Sequence, residues 1–226
     1  MPHRIPAPTA HRLSLYLREL QLFLAAGRRT VSSSEIAQAL GVKSAAVRKD
    51  LASAGTTRPS SARVGRAGVG YDCRLLSTSI RELIGTNRRW RTVLVGAGNI
   101  GNALLGYSGF EGQGFEIIAV FDVQKGLVGR TVGRQRVRAM RDLRRTIQAS
   151  GVTIGIVAVP RTAAQGVATQ LVDAGVLGIL NFAPMRLAVD ESVAVVNIDV
   201  SVSLEQLAID ISARRSGGTP RKGGRQ

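Results

Sequence analysis

The chain has one cysteine, Cys73, and two histidines, His3 and His11, in 226 residues. A single cysteine excludes an internal disulfide, and a reducing cytoplasm is the expected setting. Cys73 follows a glycine-rich turn and reads as structural rather than reactive. Both histidines stand near the N-terminus, so neither is at hand as an acid or base for a site in the second half. Long apolar runs are missing as well. None reaches the ~20 residues of a membrane span. The leucines of residues 13–24 are interrupted by Arg18 and Glu19, which excludes a secretory leader core. There is no internal repeat. Acidic residues are scarce, 15 against 31 Lys and Arg, for a net charge of +16.

That charge is uneven. Residues 1–91 hold 16 basic and 5 acidic residues, residues 92–213 hold 10 of each, and residues 214–226 hold 5 basic and no acidic ones. A strongly basic half followed by a neutral half points to a polyanion partner for the first. The length suits two domains of roughly a hundred residues each.

The neutral half carries a motif. Val93-Leu94-Val95 reads as a strand, Gly96-Ala97-Gly98-Asn99-Ile100-Gly101 follows, and a helix-like run continues to Tyr107. A second strand, Phe115 to Phe121, ends at Asp122, about 20 residues past the last glycine. Gly96 permits the tight turn, Gly98 lets backbone approach a pyrophosphate, and Gly101 lets the helix lie close to the strand. The helix N-terminus then offers free N–H groups to the phosphates. The pattern predicts dinucleotide binding.

In the basic half, Leu13, Leu17, Leu20 and Leu24 recur at helical spacing with Tyr16 and Phe23 beside them. Gly27 ends that helix. Ser32 and Glu35 form a capping box for a second helix with Ile36, Ala37 and Leu40 inward, closed by Gly41. A third helix turns Val47 and Leu51 inward and Arg48 and Lys49 outward. Two short helices with basic residues exposed on the second match a helix-turn-helix. Residues Arg58 to Asp72, glycine-rich and basic, suit a β-hairpin wing or an irregular loop. Leu75 to Ile84 reads as a linking helix.

At this point the chain resembles the Rex family of redox-sensing transcriptional repressors, over residues 4–212. The resemblance is carried by Arg12-Leu13, Tyr16-Leu17-Arg18, Val47-Arg48-Lys49-Asp50-Leu51, Gly68-Val69-Gly70-Tyr71-Asp72, the glycine turn, Gly109-Phe110, Phe121-Asp122-Val123, Val159-Pro160, the stretch Gly178 to Pro184 and Asn197-Ile198-Asp199. It implies an α/β fold: an N-terminal winged helix-turn-helix domain (1–86), a Rossmann-like doubly wound parallel sheet (87–200), a domain-swapped C-terminal helix (201–215) and a disordered basic tail (216–226). It implies a cytoplasmic, non-enzymatic homodimer that binds an inverted-repeat operator and releases it when NADH binds, with no membrane partner and no metal.

The resemblance also assigns residues. Gly96, Ala97, Gly98, Asn99, Ile100 and Gly101 would hold the pyrophosphate of NAD(H), and Asp122 the adenosine ribose. Val159 and Pro160 would flank the cofactor, and Asn181, Phe182, Ala183 and Pro184 would line its nicotinamide side. Ser44, Arg48 and Lys49 would contact DNA from the recognition helix, and Arg66, Gly68, Gly70 and Tyr71 from the wing. Arg18, Tyr107 and Asp199 would report cofactor state to the DNA-binding domain. Leu204, Leu207 and Ile211 would form one apolar face of the swapped helix, Ser203 to Ser212.

The sequence departs from the family in places. Ala52-Ser53-Ala54-Gly55 replaces an aromatic pair before glycine, the wing is longer from Thr56 to Arg66, Ala67 replaces an arginine, and Val200 stands where some members place an aromatic. Two other classes compete. A small NAD-dependent oxidoreductase needs an acid or base at the nicotinamide, for which Tyr107, Lys125 and Asp199 are the candidates. A CoA-binding domain shares the sheet and turn but has no use for Asp122. Lys125 could admit a 2′-phosphate, but the Asp122 carboxylate repels one. Seven arginines between Arg130 and Arg145 form a solvated face or a second DNA-contacting surface.

Overall fold

The computed structural model describes residues 5–53, 65–66 and 70–216. The chain divides into two compact units, Met1–Arg89 and Trp90–Gln226. Gly68, Ala67, the stretch 54–64 and the tail 217–226 lie outside the described residues.

In the first unit, α1 (Ala7–Ala25) buries Leu13, Tyr16, Leu17 and Leu20. After β1 (Thr30–Val31) comes α2 (Ser33–Leu40). The Ser32 hydroxyl accepts from the Glu35 N–H at 3.1 Å, and the Glu35 carboxylate accepts from the Ser32 N–H at 2.7 Å. This is the expected capping box, and such a cap stabilises a helix by about 1 kcal/mol. The left-handed Gly41 ends α2. Helix α3 (Ser44–Ser53) buries Val47 and Leu51, and with them Asp50. Strands β2 (Gly65–Arg66) and β3 (Gly70–Asp72) pair antiparallel, and β3 also pairs with β1. Helix α4 is Cys73–Leu83. It starts earlier than hydrophobic spacing suggested because one Asp72 oxygen accepts from both Arg74 N–H and Leu75 N–H, at 2.9 Å each.

Asp50 joins two helices of this unit. Its carboxylate accepts from Arg12 Nε at 2.6 Å, from Arg12 Nη2 at 2.7 Å and from the Tyr16 hydroxyl at 2.7 Å. Arg12 and Tyr16 sit one turn apart on α1, so the pair grips a single carboxylate of α3. The two-pronged Arg12 bond holds Asp50 below its ordinary carboxylate range. Burial, helped by that carboxylate, raises Tyr16 to about 12.

In the second unit, β4 (Trp90–Val95), β5 (Phe115–Asp122), β7 (Gln135–Ala139), β8 (Ile154–Val157), β9 (Gly178–Asn181) and β10 (Ala194–Asn197) run parallel, with the short β6 (Thr131–Val132) antiparallel beside β7. The order is β10-β9-β8-β4-β5-β7-β6. From β4 the chain winds outward to one side, then returns to wind outward on the other. The reversal lies between β4 and β8, where doubly wound sheets bind ligands.

Strand alternation divides the core into two layers. Val93, Val95, Ala119 and Phe121 face α7 (Leu143–Ser150) and α8 (Arg161–Ala174) through Leu143, Ile147, Ala164, Ala168 and Leu171. Leu94, Val120 and Ile156 face the other way, toward Leu104 and Leu105 of α5 (Asn99–Gly106). A short α6 (Gly109–Gly112) precedes β5. The last helix, α9, is Val200–Ser216, longer than the expected Ser203 to Ser212. The Asp199 carboxylate accepts from Ser201 N–H at 2.9 Å near its start. Its apolar side chains also occupy more than the one expected face. Val200, Leu204, Leu207 and Ile211 form one stripe, Val202 and Ile209 stand opposite, and all six are exposed. A helix apolar on both sides suits a slot between two surfaces rather than a single seat.

Asp50→Ala should destabilise the protein by about 3 kcal/mol, because Arg12 and Tyr16 lose their shared acceptor. Urea unfolding of the variant beside the unmodified protein measures this. Acid should act on the same contacts. Glu35 sits near pH 2 in the fold, held down first by the Ser32 N–H and then by Arg28. Asp50 is also depressed. A depressed carboxylate contributes stability above its unfolded pKa and loses it as pH falls through the folded one. Stability should therefore drop between about pH 5 and pH 2, and Asp50→Asn should flatten that drop.

Candidate dinucleotide site and nucleic-acid interface

Four main-chain bonds of 2.8 Å extend the parallel ladder beyond the carboxyl ends of the strands. Gly96 N–H donates to Phe121, Ala158 N–H to Val95, Phe182 N–H to Val157, and Ile198 N–H to Asn181. The glycine turn, the Val159-Pro160 segment and the Phe182-Ala183-Pro184 segment are thus held along one edge of the sheet.

The glycines of the turn do different work. Gly96 has φ +101°, and a side chain there would run into the Ala158 carbonyl. A side chain at Gly101 would run into the Gly96 carbonyl and approach Leu94 Cδ2. These two positions press α5 onto the end of β4 and β4 onto the β8 loop. Gly98, by contrast, faces open space. Gly98, Asn99 and Ile100 are exposed while Val95, Gly96 and Ala97 before them are buried. The result is a bare helix N-terminus at the switch point, suited to an anion.

Asp122 closes the turn. One carboxylate oxygen accepts from Ala97 N–H at 2.7 Å and the other from Gln124 N–H at 2.8 Å. Each oxygen keeps a further lone pair, so two neighbouring hydroxyls of a ribose still find acceptors there. The open backbone at Gly98 and this carboxylate fit a dinucleotide. Val159 is half-buried, and its Cγ1 would lie 3.0 Å from a side chain placed at Gly96, while Pro160 is exposed and precedes α8.

Asn181 does not serve as expected. It has no exposed surface. Its amide N–H groups meet Ala183 O, Met185 O and Asn197 Oδ1 at 2.7–3.2 Å, and its oxygen accepts from Ala183 N–H at 3.0 Å. Its polar atoms are used inside the protein, so it shapes the Phe182-Ala183-Pro184 loop and leaves no atom for a ligand. Phe182 packs on the α5-side core, Ala183 is buried, and Pro184 is exposed.

On α3, Arg48 and Lys49 are exposed on the face opposite Val47 and Leu51. Arg48 Nη1 lies 3.3 Å from Ser33 Oγ and 3.4 Å from Ser44 Oγ, so its guanidinium rests across the starts of α2 and α3. Ser44 is half-buried. Of the expected wing residues, Arg66 lies on β2 and Gly70 and Tyr71 on β3, an antiparallel pair. A side chain at Gly70, φ +93°, would meet Val31 O at 2.6 Å, so Gly70 allows β3 to pack on β1. Tyr71 packs against the core of its unit. Both keep part of their surface exposed.

Arg18 is exposed on α1. Tyr107 and Asp199 are exposed in the second unit, at the end of α5 and before α9. Sequence reasoning gave no role to the Arg12–Asp50–Tyr16 cluster. Its signal was an acid in the inward register of α3, between Val47 and Leu51. The seven arginines from Arg130 to Arg145 are all exposed. Among the described residues, no group of three or more metal-ligating side chains is found, and no helix is long and apolar enough to cross a membrane.

Two family models match. One, described as "Putative DNA-binding protein N-terminus", covers residues 4–52. The other, described as "CoA binding domain", covers residues 87–185. The redox-sensing transcriptional repressor Rex of Carboxydothermus hydrogenoformans is 44% identical over 208 residues, 92% of this chain and 97% of that protein. The chain belongs to the Rex family of redox-sensing transcriptional repressors. The Rex of Streptomyces coelicolor is 43% identical over 90% of this chain and 76% of its own length. Among solved structures, RSP, a Rex-family repressor, in complex with β-NADH superposes with a TM-score of 0.81 at 28% identity, covering 94% of this chain and 97% of RSP. RSP with β-NAD+ and operator DNA gives 0.82, over 96% of this chain and all of RSP. The α/β architecture of the Rex family is therefore the architecture of this chain, and the "CoA binding domain" match falls on its doubly wound sheet.

Asp122→Ala should weaken NADH and NAD+ by a similar factor, since the ribose is common to both. It should also free the Ala97 N–H and loosen the turn. Calorimetric titration of both nucleotides checks this, and an unchanged affinity would remove Asp122 from the site.

Proposed function

We propose that this protein is a transcriptional repressor that senses the NADH/NAD+ ratio, binds an inverted-repeat operator as a homodimer and leaves it when NADH binds. One observation carries the reading. A single Rex-family chain joins a helix-turn-helix with Arg48 and Lys49 exposed to a bare glycine turn backed by Asp122. It acts where its DNA is, in the cytoplasm.

In this reading the first unit spans about residues 1–86, the nucleotide unit about 87–200, and α9 supplies the swapped contact with the second copy. The two apolar stripes of α9 support that role, since the exchanged helix must meet two surfaces.

The turn residues Gly96 to Gly101 would hold the pyrophosphate of NAD(H), Asp122 the ribose, and Val159, Pro160, Phe182, Ala183 and Pro184 the nicotinamide end. The bound nicotinamide supplies the signal, because its two redox states differ by one charge and by ring planarity. Only side chains at that ring discriminate them. Arg18, Tyr107 and Asp199 would report the difference to the DNA-binding domain. Ser44, Arg48 and Lys49 would meet the operator, with Arg66 and Gly68 in the wing. Arginine's planar fork suits a guanine edge and lysine suits a phosphate. By reciprocity, operator DNA weakens NADH by the factor by which NADH weakens DNA. A full switch needs roughly a 10⁴-fold preference for the free state.

The match to a CoA-binding family model favours a second ligand, and competition between CoA and NADH decides it. Tight CoA binding with none of NADH would overturn the sensing reading. Operator binding should be lost at NADH concentrations where NAD+ leaves it intact. An operator complex equally stable in both nucleotides removes redox sensing. Arg48→Ala should cost about 1–3 kcal/mol on operator DNA and relax one base position, while Lys49→Ala should weaken all DNA and lower the salt slope by about one. Fluorescence anisotropy on operator and scrambled duplexes separates the two.

A further inference from the structure

Tyr107 ends α5, the helix whose other end is the glycine turn. The residue is 58% exposed, yet the position of its ring is defined. It meets Phe110 edge-on, with ring centroids 5.0 Å apart and planes at 81°. It also lies over Gly109. A side chain at Gly109 would overlap the Tyr107 ring at Cζ, Cε1 and the hydroxyl oxygen. The neighbouring glycines Gly106 and Gly112 face open space. Gly109 does not have a left-handed backbone, so its lack of a side chain answers to the ring and not to the turn.

We infer that Gly109 is a positioning residue that seats the Tyr107 ring, and that this seat sets how strongly bound nucleotide is coupled to DNA release. The inference rests on the sensing function proposed above. The physical chain is short. Movement of α5 at the phosphate end carries the Tyr107 backbone with it. A ring held by Phe110 and by the bare Gly109 backbone has one resting place, so that movement becomes a defined displacement of the ring. A methyl at position 109 removes the resting place. The ring is an exposed end of a side chain, so it swings into solvent at little cost to the fold, and the displacement no longer has a defined start.

The test is Gly109→Ala in the full-length protein. Three quantities are read: the melting temperature, the affinity for NADH without DNA, and the factor by which NADH lowers operator affinity. The first two should stay near those of the unmodified protein, since Gly109 touches neither the turn nor Asp122. The coupling factor should fall by about fivefold or more. The same substitution in a Tyr107→Ala background should have no further effect, as a double-mutant cycle requires of a residue acting through the ring. The inference is overturned if Gly109→Ala leaves the coupling factor unchanged. It is also overturned if the effect persists without the Tyr107 ring. If the unmodified protein is indifferent to NADH, the sensing function itself fails, an outcome visible before any variant is made.

Discussion

The bond between the Asp122 carboxylate and the Ala97 N–H, 2.7 Å long, is the contact on which the nucleotide half depends. It fastens the turn after the first parallel strand to the end of the second. Nothing larger than glycine fits at Gly96 or Gly101, because the Ala158 and Gly96 carbonyls stand in the way. The close approach fixes the start of α5, and the carboxylate keeps the loop from lifting off. The N–H groups of that helix are then presented to solvent at the one gap where the winding of the sheet reverses.

The DNA-facing half is organised by another carboxylate. Asp50 stands in the inward register of α3, where hydrophobic spacing calls for an apolar side chain. Burying a lone carboxylate would cost several kcal/mol. Arg12 and Tyr16 of α1 satisfy it with three hydrogen bonds. Directional bonds fix the rotation of α3 about its axis more tightly than apolar packing does, and that rotation decides where Arg48 and Lys49 point. Each half therefore uses one acid to fix a helix in place, α5 in one case and α3 in the other.

The exposed apolar residues of α9 are set by the same helical geometry. Six large side chains in water on one helix are too many for a solvated surface. With stripes on two sides, the helix presents two apolar faces rather than one.

Much of this was legible in the chain itself. The capping box Ser32–Glu35, the inward Val47 and Leu51, the strand–glycine–helix turn and the acid after the second strand are local patterns, and local sterics and hydrogen bonding suffice to set them. Sequence therefore determined two units, one basic and one neutral, and placed the turn and Asp122 together. Tertiary structure decided what depends on distant partners. Asn181 looked like a ligand contact until its amide was seen to be consumed by Ala183, Met185 and Asn197. Gly70 stands against Val31 of β1 and Tyr71 against the core of its unit, contacts that no local pattern states. The reach of α9, the grip of α1 on Asp50 and the seat under Tyr107 all join residues whose meeting no spacing rule states. The physical reason is that a polar side chain bonds whichever partner the fold brings within about 3 Å, and only the packed chain fixes who that partner is.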